Sequence, residues 1–471
     1  MRAVRDARLR VLVAGGGVAG LEAVLALRAL AGHLTSVTVL APEAQLVYRP
    51  VTVAEAFGRA EARSYQVADI LAEQHAVYVQ DSLERVDPDG CEVVTGSGTR
   101  IPYDALLLAT GARVRAPLPG ALTFGGRADV PQFRVLLDDL VDGSARSVAF
   151  ALAREQVWAL PLYELALMTA AHLREHASGA RVLVVTPEEE PLELFGPEAA
   201  HVLRPMLAAL GITLRCSSMP ALVKTRELVL VGGGGVFADR VVTLPLAEGP
   251  HLSGLPADRH GFIPVDTHGR VAALSNVYAA GDITAFPLKQ GGLAAQQADA
   301  AAEAIAAIAG AEITPRPFRP VLRGLLLTAG APVYLRCEPH RVARQTSVAI
   351  DAPRLRQSET AASAASDHPL WWPPAKIAGR YLAPYLATAR PSPLASEPLR
   401  DRVALPGSAM AAAERQDALE LALLLADGDA GWSDYHSALD ALEAAEALEG
   451  ALPPEYQAKR RIWMAQAGRS G

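Results

Sequence analysis

Residues 8–22 read Arg-Leu-Arg-Val-Leu-Val-Ala-Gly-Gly-Gly-Val-Ala-Gly-Leu-Glu. A short apolar run enters a glycine turn of the form Gly15-x-Gly17-x-x-Gly20, and an Ala/Leu-rich segment with helical spacing follows from Leu21 to about Ala31. The first glycine permits the tight turn, the second lets backbone approach a phosphate, and the third lets the helix pack on the strand. The pattern therefore predicts a strand, turn and helix that hold a dinucleotide pyrophosphate at the helix N-terminus, with an unliganded αβ turn as the alternative.

Composition describes a globular protein of two or three domains. The chain has 471 residues, of which 51% are hydrophobic and 20% charged, and its formal charge of −7 gives no basis for nucleic-acid binding. Its three cysteines are far apart and form no CxxC, so a reducing, cytoplasmic setting is expected and no metal site is predicted. No signal peptide and no membrane span are expected, while peripheral attachment stays open.

Past the first helix, strand-like and helix-like runs alternate. Strands are predicted at 36–40, 101–111, 148–152, 181–185, 211–216, 228–231 and 276–282, and helices at 65–74, 160–174, 197–210, 291–308 and 375–388. Residues 76–87 predict two short strands that lead into a hairpin at Asp87-Pro88-Asp89-Gly90. Residues 342–370 indicate a flexible linker, and 410–463 two or three helices.

Three separated signals occur in a fixed order: the glycine turn, the run Tyr103-Asp104 to Ala109-Thr110-Gly111, and Val277-Tyr-Ala-Ala-Gly281-Asp282. Together they resemble the two-domain flavoproteins of the pyridine nucleotide-disulfide oxidoreductase superfamily, over about residues 8–310. The resemblance implies an α/β fold with two Rossmann-like domains and a mainly helical C-terminal extension. The expected boundaries are 1–125 and 260–312 for a discontinuous FAD-binding domain, 126–259 for a remodelled NAD(P)-type domain, and 313–471 for the extension.

The same resemblance implies a set of FAD-binding residues. In that superfamily the aspartate of the Gly-Asp pair lies by the FAD ribityl and pyrophosphate, and the next helix points its N-terminus at the flavin O2 side. The expected cofactor-binding residues are Gly15, Gly17, Val18, Ala19, Gly20, Glu43, Arg49, Val79, Thr110, Gly111, Gly281, Asp282, Gln290, Gly291 and Gly292. Glu43 stands one step past the usual place of a ribose-binding acid, so it either reaches the ribose or is a solvated loop acid.

Within the superfamily, Val47-Tyr-Arg-Pro50 followed by Gly58 is similar to a segment of sulfide:quinone oxidoreductases and type II NADH dehydrogenases. Lys289 is similar to a lysine of the sulfide enzymes. These relatives imply a quinone-like acceptor and a membrane-surface location. Lys289 is accordingly the expected catalytic residue, as a charge stabiliser for reduced flavin.

Two features depart from these families. Residues 42–58 and 156–164 contain no thiol, and one cysteine, Cys337, cannot run a disulfide relay, so Cys337 is interpreted as a buried small hydrophobe. After Phe150 the glycine motif of an NAD(P)H site is absent. NAD(P)H therefore stays a candidate donor without its motif, and Arg154 is either a phosphate contact or a surface arginine.

The segment around residues 370–388 has two interpretations. Its Trp371, Trp372, Tyr381 and Tyr385 beside Lys376 and Arg380 fit a helix at a membrane interface or one packed on the flavin domain, and packing is favoured.

The sequence predicts an FAD-dependent oxidoreductase that moves two electrons from a small donor to a quinone or another acceptor. The alternative is a non-catalytic FAD-binding sensor or assembly protein acting through the C-terminal extension. A relic fold that binds no flavin is a third reading. Oligomeric state is left open, a homodimer included.

Overall fold

The computed structural model describes residues 8–154, 157–338, 340–342, 354–356 and 363–389, together with 442, 456–457, 459–460 and 463–464. Its first domain is built on a five-stranded parallel sheet. In spatial order the strands are Val277–Ala279, Ala105–Leu108, Leu9–Ala14, Thr35–Leu40 and Val77–Val79. Helices Val18–Ala31 and Gly291–Ile308 pack on one face through their Ala- and Leu-rich sides, and the antiparallel strands Leu83–Asp87, Glu92–Thr95 and Arg100–Pro102 cover the other.

The second domain repeats this plan between the two parts of the first. Its parallel strands, in spatial order, are Leu122–Thr123, Arg240–Thr243, Ser147–Ala151, Arg181–Val185 and Thr213–Arg215. Helices Val130–Asp142, Leu160–Glu175 and Pro197–Ala209 form one core with this sheet. The antiparallel strands Pro220–Lys224, Glu227–Leu230 and Gly235–Phe237 pack on its other face.

The described part of the C-terminal region contains an antiparallel sheet and a short helix. The sheet strands are Leu322–Leu326, Val333–Cys337 and Ser363–Ser366, a pair His340–Val342 and Arg354–Arg356 lies nearby in sequence, and the helix is Leu382–Thr388. Leu322, Leu335 and the fully buried Cys337 join the core of the second domain. Cys337 is therefore placed as the small buried hydrophobe that the sequence predicts.

Smaller elements complete the description. They are the pairs Gln45–Val47 with Ser64–Gln66 and Arg113–Arg115 with Leu246–Glu248, the helices Thr52–Glu55 and Val67–Glu73, and the 3-10 turns Arg49–Val51, Arg127–Asp129, Glu193–Phe195 and Gly281–Ile283. Among the residues described, no helix combines the length and apolar character that crossing a bilayer requires.

Several predicted boundaries need correction. The first helix begins at Val18 rather than Leu21, because the third glycine lies inside its first turn. The predicted helix 65–74 is helical only over Val67–Glu73, after the strand Ser64–Gln66, and the predicted helix 375–388 is helical only over Leu382–Thr388. The linker prediction is wrong for Ser363–Ser366, which pairs with strand Val333–Cys337. Helix Gly291–Ile308 is confirmed at its predicted bounds. Most of the predicted tail helices lie outside the described residues.

Candidate functional site

The candidate site lies where the strands of the first sheet end. Because all five strands are parallel, the loops that follow them meet at one edge. The first strand of the chain is central, and later strands add on both of its sides, so the strand order reverses there. In open α/β sheets, ligands bind outside the carboxyl ends of the strands at such a switch point. Here the glycine turn occupies it.

Two glycines of the turn are required by packing. Gly15 has φ +129°, and a Cβ on it would lie 2.2 Å from the carbonyl oxygen of Ala109. A Cβ on Gly20 would lie 1.9 Å from the carbonyl oxygen of Gly15. Larger residues would therefore push the turn away from the neighbouring strand or from its own helix.

Gly17 differs from these two glycines, because neither its backbone conformation nor a neighbouring atom requires a glycine at this position. It has an ordinary φ of −85°, and no atom lies within 4 Å of the position that its Cβ would take. It is the residue just before helix Val18–Ala31, and no side chain caps that helix end. This leaves an open approach to helix amide groups, which is the arrangement that binds a phosphate.

Charged side chains gather around Asp282, which follows Gly281. Asp282 is half-buried, and burial raises its pKa, while nearby Lys289 and Arg49 act in the opposite direction. Lys289 Nζ donates to the carbonyl oxygen of Thr284 at 2.6 Å and lies 3.8 Å from the centre of the Phe262 ring. Burial lowers the pKa of Lys289 to about 8, against the charges of Asp282 and Asp258.

The N-terminus of helix Gly291–Ile308 reaches the same edge. A Cβ on Gly281, which has φ +81°, would lie 3.0 Å from Cβ of Ala19 and 3.4 Å from Cβ of Ala294, so this loop joins both helices. Gln290 caps the second helix, because its Oε1 accepts from the amide of Leu293 at 2.7 Å. Its side chain is therefore occupied within the chain, and the helix dipole at this end favours negative charge.

The remaining predicted cofactor residues lie on the same edge. Thr110 and Gly111 follow strand Ala105–Leu108, and Gly111 has φ +75°. The amide of Ala41 donates to the carbonyl of Val79 at 3.1 Å, which places the loop with Glu43 beside Val79. Glu43 is exposed. The structure thus brings all the predicted loops together, and their contacts with a ligand stay predictions.

The corresponding edge of the second sheet is built differently. Residues 152–159 separate strand Ser147–Ala151 from helix Leu160–Glu175, whereas only 15–17 separate the first strand from its helix. Glu188, after the neighbouring strand, is buried, and its Oε2 accepts from the hydroxyls of Tyr163 at 2.6 Å and Thr186 at 2.8 Å. Burial raises the pKa of Glu188 to about 7. Arg154 is exposed, which fits both of its interpretations.

The C-terminal segment packs on the domains rather than standing apart. Trp371 is buried, its Nε1 donates to the carbonyl of Ala375 at 2.9 Å, and its ring centre lies 5.2 Å from that of Tyr334. Lys376 forms a buried ion pair with Glu164 at 2.5 Å. This agrees with the packing interpretation of the segment.

The sequence analysis did not predict that Tyr48 and Glu22 form hydrogen bonds with this segment. The hydroxyl of Tyr48 accepts the amide of Ile377 at 2.9 Å, and buried Glu22 accepts the amides of Tyr381 and Leu382. An available signal was the single charge of Glu22 within an otherwise apolar stretch of the first helix, where a buried carboxylate requires partners.

These features fit FAD better than a mononucleotide. The open face of Gly17 at the start of the first helix suits a pyrophosphate, Asp282 is a half-buried acceptor suited to ribityl hydroxyls, and the second helix N-terminus lies on the opposite side of Gly281. FAD would be held by Gly17, Asp282 and the first turn of helix Gly291–Ile308.

Comparison with known proteins agrees with this geometry. The family model for pyridine nucleotide-disulphide oxidoreductases matches residues 9–151 and 163–306. An NADH dehydrogenase-like protein of Mycobacterium tuberculosis is 29% identical over 298 residues, which cover 59% of this chain and 73% of that protein. Rhodocoxin reductase of Rhodococcus erythropolis is 27% identical over 308 residues, covering 59% and 66%.

Among solved structures, the sulfide:quinone oxidoreductase of Aquifex aeolicus aligns with a TM-score of 0.65 at 19% identity, covering 77% of this chain and 87% of that one. A ferredoxin reductase of Rhodopseudomonas palustris aligns with a TM-score of 0.55 at 21% identity, covering 70% and 82%. At these identities the structures establish the fold. The chain belongs to the pyridine nucleotide-disulphide oxidoreductase family.

Proposed function

We propose that this protein is an FAD-dependent oxidoreductase that takes two electrons from a small donor and passes them to a quinone or another acceptor. FAD would supply the redox chemistry, and the chain would bind it, orient it and tune its potential. The observation that carries this proposal is the open face of Gly17 at the switch point, between two helix N-termini and beside Asp282.

Lys289 supports a redox role for the site. It is a partly buried cation beside Asp282, at the start of the helix whose N-terminus faces the proposed flavin. Negative charge that develops on a reduced flavin would be stabilised there by the cation and the helix dipole together.

Two observations bear on the identity of the electron donor, and they point in opposite directions. The names of two relatives, NADH dehydrogenase-like protein and rhodocoxin reductase, favour a nicotinamide donor or a protein acceptor. The buried Glu188 and the longer connection before helix Leu160–Glu175 weigh against a nicotinamide dinucleotide, because the carboxylate is held inside the chain instead of facing ribose hydroxyls. A quinone acceptor would place the protein at a membrane surface.

The test is an anaerobic titration of the purified full chain, with the flavin absorbance followed as NADH, NADPH or sulfide is added. Bleaching by one of these donors, reversed by a soluble quinone, is the expected result and identifies the donor. Colourless protein that takes up no added FAD contradicts the proposal. Flavin that dithionite reduces and none of the three donors reduces would favour the sensor or assembly role instead.

A further inference from the structure

Glu22 is a fully buried carboxylate that the proposed cofactor site does not use. It lies on the first helix, two residues past the last glycine of the turn. Its Oε1 accepts the amide of Tyr381 at 2.7 Å and its Oε2 accepts the amide of Leu382 at 2.8 Å. Each of its two oxygens accepts one backbone amide, so Glu22 fixes the backbone of a segment more than 350 residues away in sequence.

Glycine is required at the same contact. A Cβ on Gly379 would lie 2.5 Å from Glu22 Oε2, so the backbone approaches the carboxylate as closely as the chain allows. A larger residue at position 379 would therefore force the Glu22 carboxylate to move.

Residues 376–382, here called the wall segment, pass directly over the N-terminus of helix Gly291–Ile308. Cγ1 of Ile377 is 3.1 Å from the position of a Cβ on Gly291, and the carbonyl of Ala378 is 3.4 Å from that of Gly292. The hydroxyl of Tyr48 accepts the amide of Ile377 at 2.9 Å. The wall segment is thus held from the first helix on one side and from Tyr48 on the other.

We propose that Glu22 is a positioning residue that holds the wall segment against the helix Gly291–Ile308 and thereby closes the flavin pocket at this edge. This inference rests on the proposed function, because it assigns a role to the chain around the FAD site. An apolar side chain at the pocket edge excludes water, and the charges that face a reduced flavin then act through a lower dielectric.

The test compares Glu22→Gln in the full-length FAD-bound protein with Glu188→Gln. Glu188 is a matched control, because it is another buried carboxylate that accepts hydrogen bonds, but from Tyr163 and Thr186 in the second domain. Two readouts are taken: hydrogen exchange of peptides covering 376–386, and quenching of bound-flavin fluorescence by iodide. Glutamine keeps the shape of Glu22 but replaces one of its two acceptor oxygens with an NH2 group, which cannot accept a backbone amide.

For Glu22→Gln we expect exchange of these peptides to rise by about tenfold, because one buried backbone amide loses its acceptor. Iodide quenching should rise severalfold, and both readouts should be unchanged in Glu188→Gln. Faster exchange with unaltered quenching would show that Glu22 only stabilises the fold, and unaltered exchange would remove the positioning role.

Gly379→Ala is the second variant, in case Glu22→Gln does not fold. Its added Cβ presses on Glu22, so it should shift both readouts in the same direction without changing a charge. If the wild-type protein binds no FAD, the proposed function fails, while the exchange readout still decides whether Glu22 holds the segment.

Discussion

At the scale of single residues, the charge of Lys289 is the feature of the site most open to measurement. Burial lowers its pKa to about 8, so the side chain is a cation at neutral pH and loses its proton well below the usual range of lysine. A cation beside a reduced flavin raises the flavin midpoint potential, because it stabilises the negative charge of that state.

Lys289→Met should therefore lower the midpoint potential at pH 6.5 by roughly 30 mV, the equivalent of about 1.4 kcal/mol in a two-electron couple. At pH 9.5 the wild-type lysine is itself neutral, so the two proteins should then have similar potentials. The measurement is a spectroscopic redox titration at both pH values. Lys224→Met, at an exposed lysine, is the control and should leave the potential unaltered. Equal potentials for Lys289→Met and wild type at pH 6.5 would exclude the assigned role.

At the scale of elements, helices that depend on their local sequence were predicted correctly. An element whose ends depend on contacts with distant residues was not. Helix Gly291–Ile308 follows its own alanine-rich pattern and its own cap, Gln290. The predicted helix 375–388 begins only at Leu382, because the amides of Ile377, Tyr381 and Leu382 go to Tyr48 and Glu22 instead of entering a helical ladder. No local sequence pattern at 375–382 predicts that Tyr48 and Glu22 are the partners of these amides.

The candidate site likewise contains residues that could be predicted from the sequence and residues that could not. The glycine turn was found from its spacing after a strand, and Asp282 and the second helix from the resemblance to a known family. The wall segment and Glu22 were missed because their pairing joins the two ends of the described chain. The C-terminal sheet was missed too, since its strands are short and, among the described residues, pair with one another rather than with either parallel sheet.

The glycine turn gives a prediction that separates binding from folding. Gly17→Ala adds a methyl group into open space at an ordinary φ, so the protein should fold normally and bind FAD at least about tenfold more weakly, by blocking close backbone approach. Gly20→Ala places its methyl 1.9 Å from the Gly15 carbonyl and should destabilise the fold itself. FAD titration together with the thermal midpoint of the apo proteins distinguishes the two effects. Undiminished FAD affinity in Gly17→Ala would contradict the assignment of that face to the pyrophosphate.

At the scale of the whole molecule, the C-terminal region joins the two Rossmann-like domains. Its sheet shares the core of the second domain, while its helix Leu382–Thr388 packs on the first, where Leu382 and Leu386 enter the core. The buried ion pair between Glu164 and Lys376 crosses this junction, since Glu164 belongs to helix Leu160–Glu175 and Lys376 to the wall segment. Glu164 also accepts the amide of Leu327 at 2.7 Å. One carboxylate thus ties the second domain to two parts of the C-terminal region.

Removing one partner of this pair should cost far more than removing both charges. Lys376→Met leaves a buried carboxylate without its cation and should lower the free energy of unfolding by about 3–5 kcal/mol. The double variant Lys376→Met with Glu164→Gln should recover most of that loss, because the amide oxygen still accepts from Leu327 and no buried charge remains. Urea unfolding followed by tryptophan fluorescence measures both. The exposed pair of Arg204 and Glu190 is the control, and Arg204→Met should change stability by less than about 1 kcal/mol. If the single and double variants are equally unstable, the loss comes from packing at Lys376, and the ion pair does not couple the domains.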